Sequence, residues 1–269
     1  MSKARHAGSA TMREVLHAEW TKLRTAPGTI WLLIGVIALT VALSVAAAAA
    51  VTCSSAGCGQ DPAKVSLTGI LLGQAVVVIL AVLAIGGEYS TGMIRTTLAA
   101  MPRRTTVLAA KAAILTGLVL TAGTIAVFAS VLAGRLILPG HGFIPAHGYP
   151  LLSLGDGPVL RAAAGSVLYL ALIALLSLGA ATAVQDSAAA IGAVLGLLYL
   201  FPIIAAVVTN PHWQRHLDQI GPMSAGLAIQ ATTGLRSLPL SPWAGLGVLA
   251  AWAAAALVAG GLLLRLRDA

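Results

Sequence analysis

The sequence predicts an all-α integral membrane protein with six transmembrane helices. Hydrophobic residues make up 58% of the 269-residue chain, whereas charged residues make up only 9%. A soluble domain carries about 25% charged residues, and a disordered chain needs high charge and low hydrophobicity. Because roughly 20 apolar residues cross a bilayer, the chain has room for about six or seven spans. These observations exclude a soluble enzyme and a disordered chain.

The runs without charge place the six spans. Lipid offers no partners to backbone N–H and C=O groups, so each span is predicted to be a helix. The predicted spans of the transmembrane domain, residues 30–269, are Ile30–Val51, Leu67–Gly87, Ala112–Gly134, Ala162–Val184, Ala188–Val208 and Ala244–Leu264. The uncharged run 136–155 is predicted to be a loop because it is rich in proline and glycine.

The segment before the first span, residues 1–29, is predicted to form a cytoplasmic amphipathic helix. Apolar side chains recur at helical spacing and form one stripe: Met12, Val15, Leu16, Trp20 and Leu23. Charged and polar residues occupy the other face. Such a helix lies in the membrane interface, here on the inner leaflet, and Pro27-Gly28 would turn the chain into the first span.

The distribution of basic residues predicts that both termini are cytoplasmic. With the N-terminus inside, five of the 16 basic residues fall on outer segments, and the other eleven fall on cytoplasmic ones. The outer five are Lys64, Arg135, Arg161, Arg215 and Arg236. This asymmetry obeys the positive-inside rule and also explains the net charge of +8. Since no soluble basic domain is present, we expect no nucleic-acid partner.

The two cysteines, Cys53 and Cys58, lie in the short first outer loop. The outer side is oxidising, so a disulfide between them is plausible. Two free thiols are the alternative, because spacing does not determine pairing.

The segment after the second span contains an anion in an unfavourable place. Glu88 lies at the C-terminal end of a predicted helix, where the helix dipole disfavours negative charge. Thr91–Ala100 is suited to a short helix that ends at Pro102, and Arg103 and Arg104 would fix the inner end of the third span. The alternative is a plain inner loop that only obeys the positive-inside rule.

Small residues and a proline mark two of the spans. Gly69-x-x-x-Gly73 in the second span and Gly192-x-x-x-Gly196 in the fifth allow helix backbones to approach closely, and packing within the chain is the expected role of at least one of them. Pro202 removes a backbone donor and is predicted to kink the fifth span.

The segment between the fifth and sixth spans is long for a loop. Trp213 and Trp243 are predicted to anchor it at the outer interface. Met223–Ala231 is suited to a short re-entrant or interfacial helix. His212 and His216 have the spacing of two metal ligands on one helix face, but interfacial histidines are favoured, and we expect no metal.

The predicted spans contain no Asp, Glu, Lys, Arg or His. Ion-coupled transporters and intramembrane hydrolases need such groups, so neither activity is expected. No lysine follows a glycine, as a P-loop would require. We therefore expect no enzyme and no cofactor, and any ATPase must be a separate subunit.

Three stretches carry a resemblance to a known family. They are Glu19-Trp20-Thr21-Lys22-Leu23-Arg24-Thr25, the run Gly87-Glu88-Tyr89-Ser90-Thr91-Gly92-Met93-Ile94-Arg95-Thr96-Thr97-Leu98 with Pro102-Arg103-Arg104 and Lys111, and Pro242-Trp243 with the ending Leu-Arg-Leu-Arg-Asp. The whole chain resembles the membrane subunit (permease) of type-two ATP-binding-cassette (ABC) exporters, in its small actinobacterial form. The loop Arg135–Arg161, rich in Gly, Pro and His, departs from the family pattern.

The resemblance implies a partnership in the bacterial cell membrane. Two permeases would pair, and two cytosolic ABC ATPase subunits would dock below them. The second and fifth spans would line the path, and re-entrant helices before the sixth span would close it. A coupling helix after the second span would contact the ATPase through Glu88, Tyr89, Gly92, Arg95, Arg103 and Arg104. The alternative function is a non-transporting assembly or sensor component of a membrane complex, which the absence of a neighbouring ATPase gene would favour.

Overall fold

The computed structural model describes residues 12–25, 27–54, 58–90 and 104–266, and these residues form no β-strand. Six helices are long and apolar enough to cross a membrane: Gly28–Ala50, Ile70–Tyr89, Thr105–His141, Gly157–Val184, Ser187–Val207 and Pro242–Leu264. The predicted fold class, an all-α protein with six apolar spans, is confirmed.

Ten α-helices follow one another along the described chain. They are α1 (Met12–Thr25), α2 (Pro27–Ala50), α3 (Pro62–Ser66), α4 (Ile70–Ser90), α5 (Arg104–Ile137), α6 (Gly157–Val184), α7 (Ser187–Val207), α8 (Pro211–Ile220), α9 (Pro222–Leu227) and α10 (Pro242–Leu266). Short 3-10 helices lie at Leu138–His141, Pro145–His147, Ala228–Gln230 and Leu235–Ser237. The bundle has two ends, which we name the α1 end and the disulfide end, after α1 and the Cys53–Cys58 bond.

The helices extend beyond the predicted spans at both ends of the bundle. Helix α5 begins at residue 104, whereas its span was predicted from 112, and α6 begins at 157 rather than 162. A helix satisfies its own backbone and therefore continues past the hydrocarbon layer. Because the helices are longer, they contain Glu88, Lys111, Arg135 and Arg161. The predicted spans are shorter and contain no ionisable residue, whereas the observed helices do contain ionisable residues near their ends.

The second span begins at Ile70 rather than Leu67, because a separate short helix precedes it. Asp61 is the N-cap of α3 and accepts hydrogen bonds from the backbone N–H of Ala63 at 3.1 Å and of Lys64 at 3.3 Å. Pro62 follows at the first helical position, where its missing N–H costs nothing. This pairing of cap and proline is a sequence signal for α3.

Helices α4 and α6 form the centre of the bundle. In the most apolar window of each span, 61% of the residues of α6 and 56% of those of α4 are buried, against 17% for α2 and 22% for α7. Helix α6 packs against α4, α5 and α10. The other four spans are less buried, at 17–33% of the same windows, and leave apolar surface exposed on the outside of the bundle.

The first glycine motif packs α4 against α2. A Cβ at Gly69 would lie 1.7 Å from the Thr40 carbonyl oxygen, and one at Gly73 would lie 2.1 Å from Thr40 Oγ1. The Gly69 N–H also donates to Ser44 Oγ at 3.1 Å. Only glycine permits this approach, which agrees with the small-residue packing expected in membranes.

Candidate functional site

Four ionisable side chains join three helices at the α1 end. Glu19 and Lys22 belong to α1, Glu88 to the end of α4 and Lys111 to α5. Lys111 Nζ donates to Glu19 Oε2 at 2.6 Å and to Glu88 Oε1 at 3.0 Å. Lys22 Nζ donates to Glu19 Oε1 at 2.8 Å and to Glu88 Oε1 at 2.9 Å. We name these four residues the Lys111 cluster.

The Lys111 cluster is largely withdrawn from solvent. The side chains of Glu19 and Lys111 are each 1% exposed, that of Glu88 is 8% exposed, and only Lys22 reaches 34%. Two carboxylates and two ammonium groups have no net charge, and pairing of this kind is what makes buried ions tolerable. Lys111 also donates to the Ala84 carbonyl at 3.1 Å, which gives its three N–H donors three acceptors.

The cluster resolves the unfavourable position of Glu88. This residue lies in the last turn of α4, which ends at Ser90, so the helix dipole opposes its charge. Lys22 and Lys111 both donate to its Oε1 and supply the compensating positive charge. Its Oε2 is buried and has no hydrogen-bond partner among the described residues.

The two α1 members of the cluster have shifted pKa values. Burial raises the pKa of Glu19, but the charge and hydrogen bond of Lys111, aided by Lys22, outweigh burial and hold the pKa below its ordinary value. Burial lowers the pKa of Lys22, but its hydrogen bonds to Glu19 and Glu88 outweigh burial and leave the pKa raised. Both groups are therefore held in their charged forms across the neutral range.

The cluster is suited to mechanical coupling. Helices α4 and α5 flank residues 91–103, and Lys111 links the end of α4 to the start of α5. Glu19 and Lys22 then attach both helices to α1. Displacing one of the three helices alone would separate buried opposite charges, so we expect the three helix ends to move together.

The predicted coupling residues are distributed unevenly over the described chain. Glu88 lies in the Lys111 cluster, and Tyr89 is partly buried and packs against the hydrophobic core. Arg104 is the first residue of α5. Gly92, Arg95 and Arg103 lie outside the described residues, so their predicted role stays a prediction.

Sequence reasoning missed the other three members of the Lys111 cluster, although one signal was present. Glu19 lies four residues after Val15 and four before Leu23, so helical spacing puts it within the apolar stripe of the N-terminal helix. A carboxylate on an apolar stripe is expected to be buried and to need a cation. The spacing does not show that the cation is Lys111, 92 residues further along the chain.

The remaining predicted helix-packing and path residues lie on α7. A Cβ at Gly192 or Gly196 would meet no heavy atom within 4 Å, so this glycine pair packs against no other part of the described chain. Pro202 lies inside α7 and lines a cavity at the disulfide end. The Tyr199 hydroxyl donates to the Leu71 carbonyl and thereby joins α7 to α4.

The disulfide end is held together by polar contacts. Cys53 and Cys58 form a disulfide, and the Cys53 N–H donates to the His141 carbonyl at 2.8 Å. The Asp61 carboxylate accepts from the Thr232 N–H at 2.5 Å and from the Thr232 hydroxyl at 2.7 Å. Arg161 donates to the Ala231 carbonyl at 2.6 Å. The segment before α10 is thus attached to both α3 and α6.

The predicted short helix at Met223–Ala231 is present as α9 followed by the 3-10 helix Ala228–Gln230. Met223 is buried, and its sulfur accepts a hydrogen bond from Gln74 Nε2 of α4 at 3.3 Å. His212 and His216 lie on exposed α8 with their Nε2 atoms 3.3 Å apart. Within the described part of the chain, no group of three or more His, Cys, Asp or Glu side chains could hold a metal ion.

No protein-family model matches this sequence, and no curated protein matches it significantly. Function is therefore inferred from the residues and contacts described above.

Proposed function

We propose that this chain is the transmembrane subunit of an ATP-driven ABC exporter that moves its substrate by alternating access. The observation that carries the proposal is the buried Lys111 cluster, which ties both helices flanking residues 91–103 to α1. Separate cytosolic ATPase subunits would supply the energy, and two permeases would pair in the membrane.

The cluster offers a route from residues 91–103 to the centre of the bundle. A force on this segment would act first on the ends of α4 and α5, which Lys111 links through Glu88. Helix α4 is in turn joined to α6 by a hydrogen bond from the Tyr169 hydroxyl to Gln74 Oε1. Since α4 and α6 are the most buried spans, a tilt of α4 would be transmitted to the centre of the bundle.

The location of the charged groups supports an external energy source. Glu88, Lys111, Arg135 and Arg161 all lie near the ends of their helices, and the first two are paired with each other. A proton or ion pathway would need ionisable groups nearer the middle of the spans. The absence of a Gly-Lys pair from the sequence likewise supports the proposal that a separate subunit hydrolyses ATP.

The exporter proposal requires the α1 end to be cytoplasmic. The excess of basic residues on that side supports this orientation, and it puts the Cys53–Cys58 bond outside the cell. We expect a membrane-impermeant maleimide, applied to intact cells after mild reduction, to label Cys53 and Cys58. Labelling only after permeabilisation would reverse the orientation.

ATPase docking can be tested with charge variants on opposite sides of the membrane. The tagged chain would be purified from its native membranes in mild detergent, and the bound ATPase and its ATP hydrolysis would be measured. Arg95→Glu should lose most of the ATPase if Arg95 meets an acidic groove, because a like-charge contact costs several kcal/mol. Glu88→Gln keeps the side-chain shape and should still insert and dimerise, with reduced substrate-stimulated hydrolysis.

Arg236→Glu is the matched control, because it makes the same charge reversal on an exposed residue at the disulfide end. It should retain the ATPase at the wild-type level. Absence of any ATPase from the wild-type preparation would refute the exporter and favour the alternative, a non-transporting component of a membrane complex. Wild-type docking and hydrolysis in both Arg95→Glu and Glu88→Gln would refute coupling through this segment.

A further inference from the structure

A cavity of about 340 Å³ lies at the disulfide end, between α4, α7 and the α8–α9 pair. Its wall is mainly apolar and includes Leu71, Pro202, Met223, Leu227 and Leu240. Small-molecule sites are typically concave, mostly apolar and about 300–1,000 Å³ in volume, with a few polar groups that orient the ligand. The cavity therefore has the size and lining of a site for a small amphipathic molecule.

One polar group on the wall lacks a compensating charge. The Asp218 carboxylate has no Lys, Arg or His nitrogen within ion-pair distance among the described residues. Asp218 is partly buried, and this partial desolvation disfavours the carboxylate and raises its pKa. By contrast, Gln230 on the same wall already donates to Ser166 Oγ at 3.2 Å. A cation in the cavity would stabilise the Asp218 carboxylate by compensating its charge.

Lys64 also lines the cavity, but its ammonium group is more exposed to water than the Asp218 carboxylate. Its side chain is exposed, so water solvates the ammonium group. It also lines a neighbouring cavity of about 440 Å³, whose wall includes Asp61. Asp218 does not line that second cavity. The partly desolvated and uncompensated charge of the apolar cavity is therefore the negative one.

We propose that this cavity binds a cationic amphiphile, with the ammonium group beside Asp218 and the apolar body against Leu71, Pro202 and Met223. If the chain is a subunit of an exporter, as proposed above, cationic amphiphiles are the class of molecule that it transports. This part of the proposal therefore rests on the proposed exporter function. The binding site itself can be tested on the isolated chain.

The test measures equilibrium binding to the full-length chain in phosphatidylcholine nanodiscs, without any ATPase. The probes are radiolabelled octyltrimethylammonium, octyl sulfate and octanol, which share an alkyl chain and differ in charge. Binding to empty nanodiscs is subtracted. We expect the wild-type chain to bind the cation most tightly, and Asp218→Asn to weaken that binding about tenfold. Octanol binding should stay unchanged in Asp218→Asn, which would show that the cavity is intact.

Two further variants make the test specific. Asp156→Asn is the matched control, because it makes the same change in an exposed aspartate at the same end that does not line the cavity, and it should bind like wild type. Lys64→Gln removes a positive charge from the cavity wall and should therefore not weaken cation binding. Equal cation affinity in wild type and Asp218→Asn would overturn the proposal. Tighter binding of octyl sulfate that is lost in Lys64→Gln would also overturn it.

The outcomes for the cavity and for the exporter are separable. Loss of cation binding in Asp218→Asn, without an ATPase in the native preparation, would keep the binding site and refute the exporter. Unchanged cation binding in Asp218→Asn, with an ATPase present, would refute the binding site and keep the exporter.

Discussion

Replacing Lys111 with methionine is the most direct test of the structural role of the Lys111 cluster. The change keeps a long unbranched side chain but removes the ammonium group that contacts Glu19 at 2.6 Å and Glu88 at 3.0 Å. Two buried carboxylates would then share one cation, Lys22, which is the most exposed member of the cluster. Breaking a buried ion pair from one side costs about 3–5 kcal/mol, and we expect Lys111→Met to lose stability in this range.

A double-mutant cycle separates the charge interaction from loss of packing. Glu19→Gln removes one carboxylate, and Glu19→Gln with Lys111→Met leaves Glu88 and Lys22 as a balanced pair. The double variant should therefore lose less stability than the sum of the two single variants. For groups in direct contact, this difference is about 0.5–3 kcal/mol. Reversible unfolding in mixed micelles, by titration with sodium dodecyl sulfate, would measure the four free energies.

Lys64→Met is the control for this cycle, because it makes the same chemical change at an exposed lysine. Its effect should stay within about 0.5 kcal/mol. A loss below about 0.5 kcal/mol for Lys111→Met, or single-variant losses that add to the loss of the double variant, would refute a stabilising cluster.

Three further predictions concern packing, capping and pH. Gly69→Ala should lower the melting temperature markedly, because its Cβ would overlap the Thr40 carbonyl, whereas Gly192→Ala should leave a monomer unchanged. Asp186→Ala should cost about 0.5–2 kcal/mol of unfolding free energy without changing ATPase docking, because Asp186 Oδ1 caps α7 by accepting the Ala189 N–H at 2.7 Å. Because the pKa of Glu19 is below its ordinary value of 4.5, its contribution is present above about pH 4.5 and is lost as pH falls through the lower folded-state pKa. The difference in melting temperature between wild type and Glu19→Gln should accordingly shrink in acid; a constant difference from pH 7 to pH 3 would contradict this reasoning.

The spans were predictable because lipid constrains the sequence so strongly. A stretch of about 20 residues without charge has few alternatives to a helix, so composition alone places all six. The helix ends were less predictable, because residues past the hydrocarbon layer continue the helix whatever their polarity. The start of α3 did carry a local signal, the N-cap Asp61 followed by Pro62, which hydropathy alone does not register.

The candidate site was predictable only in part. The position of Glu88 at a helix end identified it as an unfavourably placed anion. The position of Glu19 on an apolar stripe is a second signal of the same kind, which was not used. The sequence does not show which cations pair with Glu19 and Glu88. Lys111 and Glu19 are 92 residues apart and come together only when α1 packs against α5. The carboxylate of Asp218 is a similar case, since its surroundings depend on the path of the chain from α8 to α10.

The free energy of a buried ion pair can be compared with that of apolar packing, to ask why the Lys111 cluster consists of charged residues. Replacing a buried ion pair with well-packed apolar side chains is often neutral or stabilising by about 1–4 kcal/mol, so the strength of the contact between α1, α4 and α5 does not by itself require ions. Apolar residues would not fix which residues meet, because apolar contacts tolerate sliding. By contrast, Lys111 loses Glu88 and the Ala84 carbonyl if α4 moves by a turn, and it loses Glu19 if α1 does. A connection that must transmit displacement between helices needs such a fixed register. The buried charges of the α1 end supply such a register, and this supports the proposed coupling role.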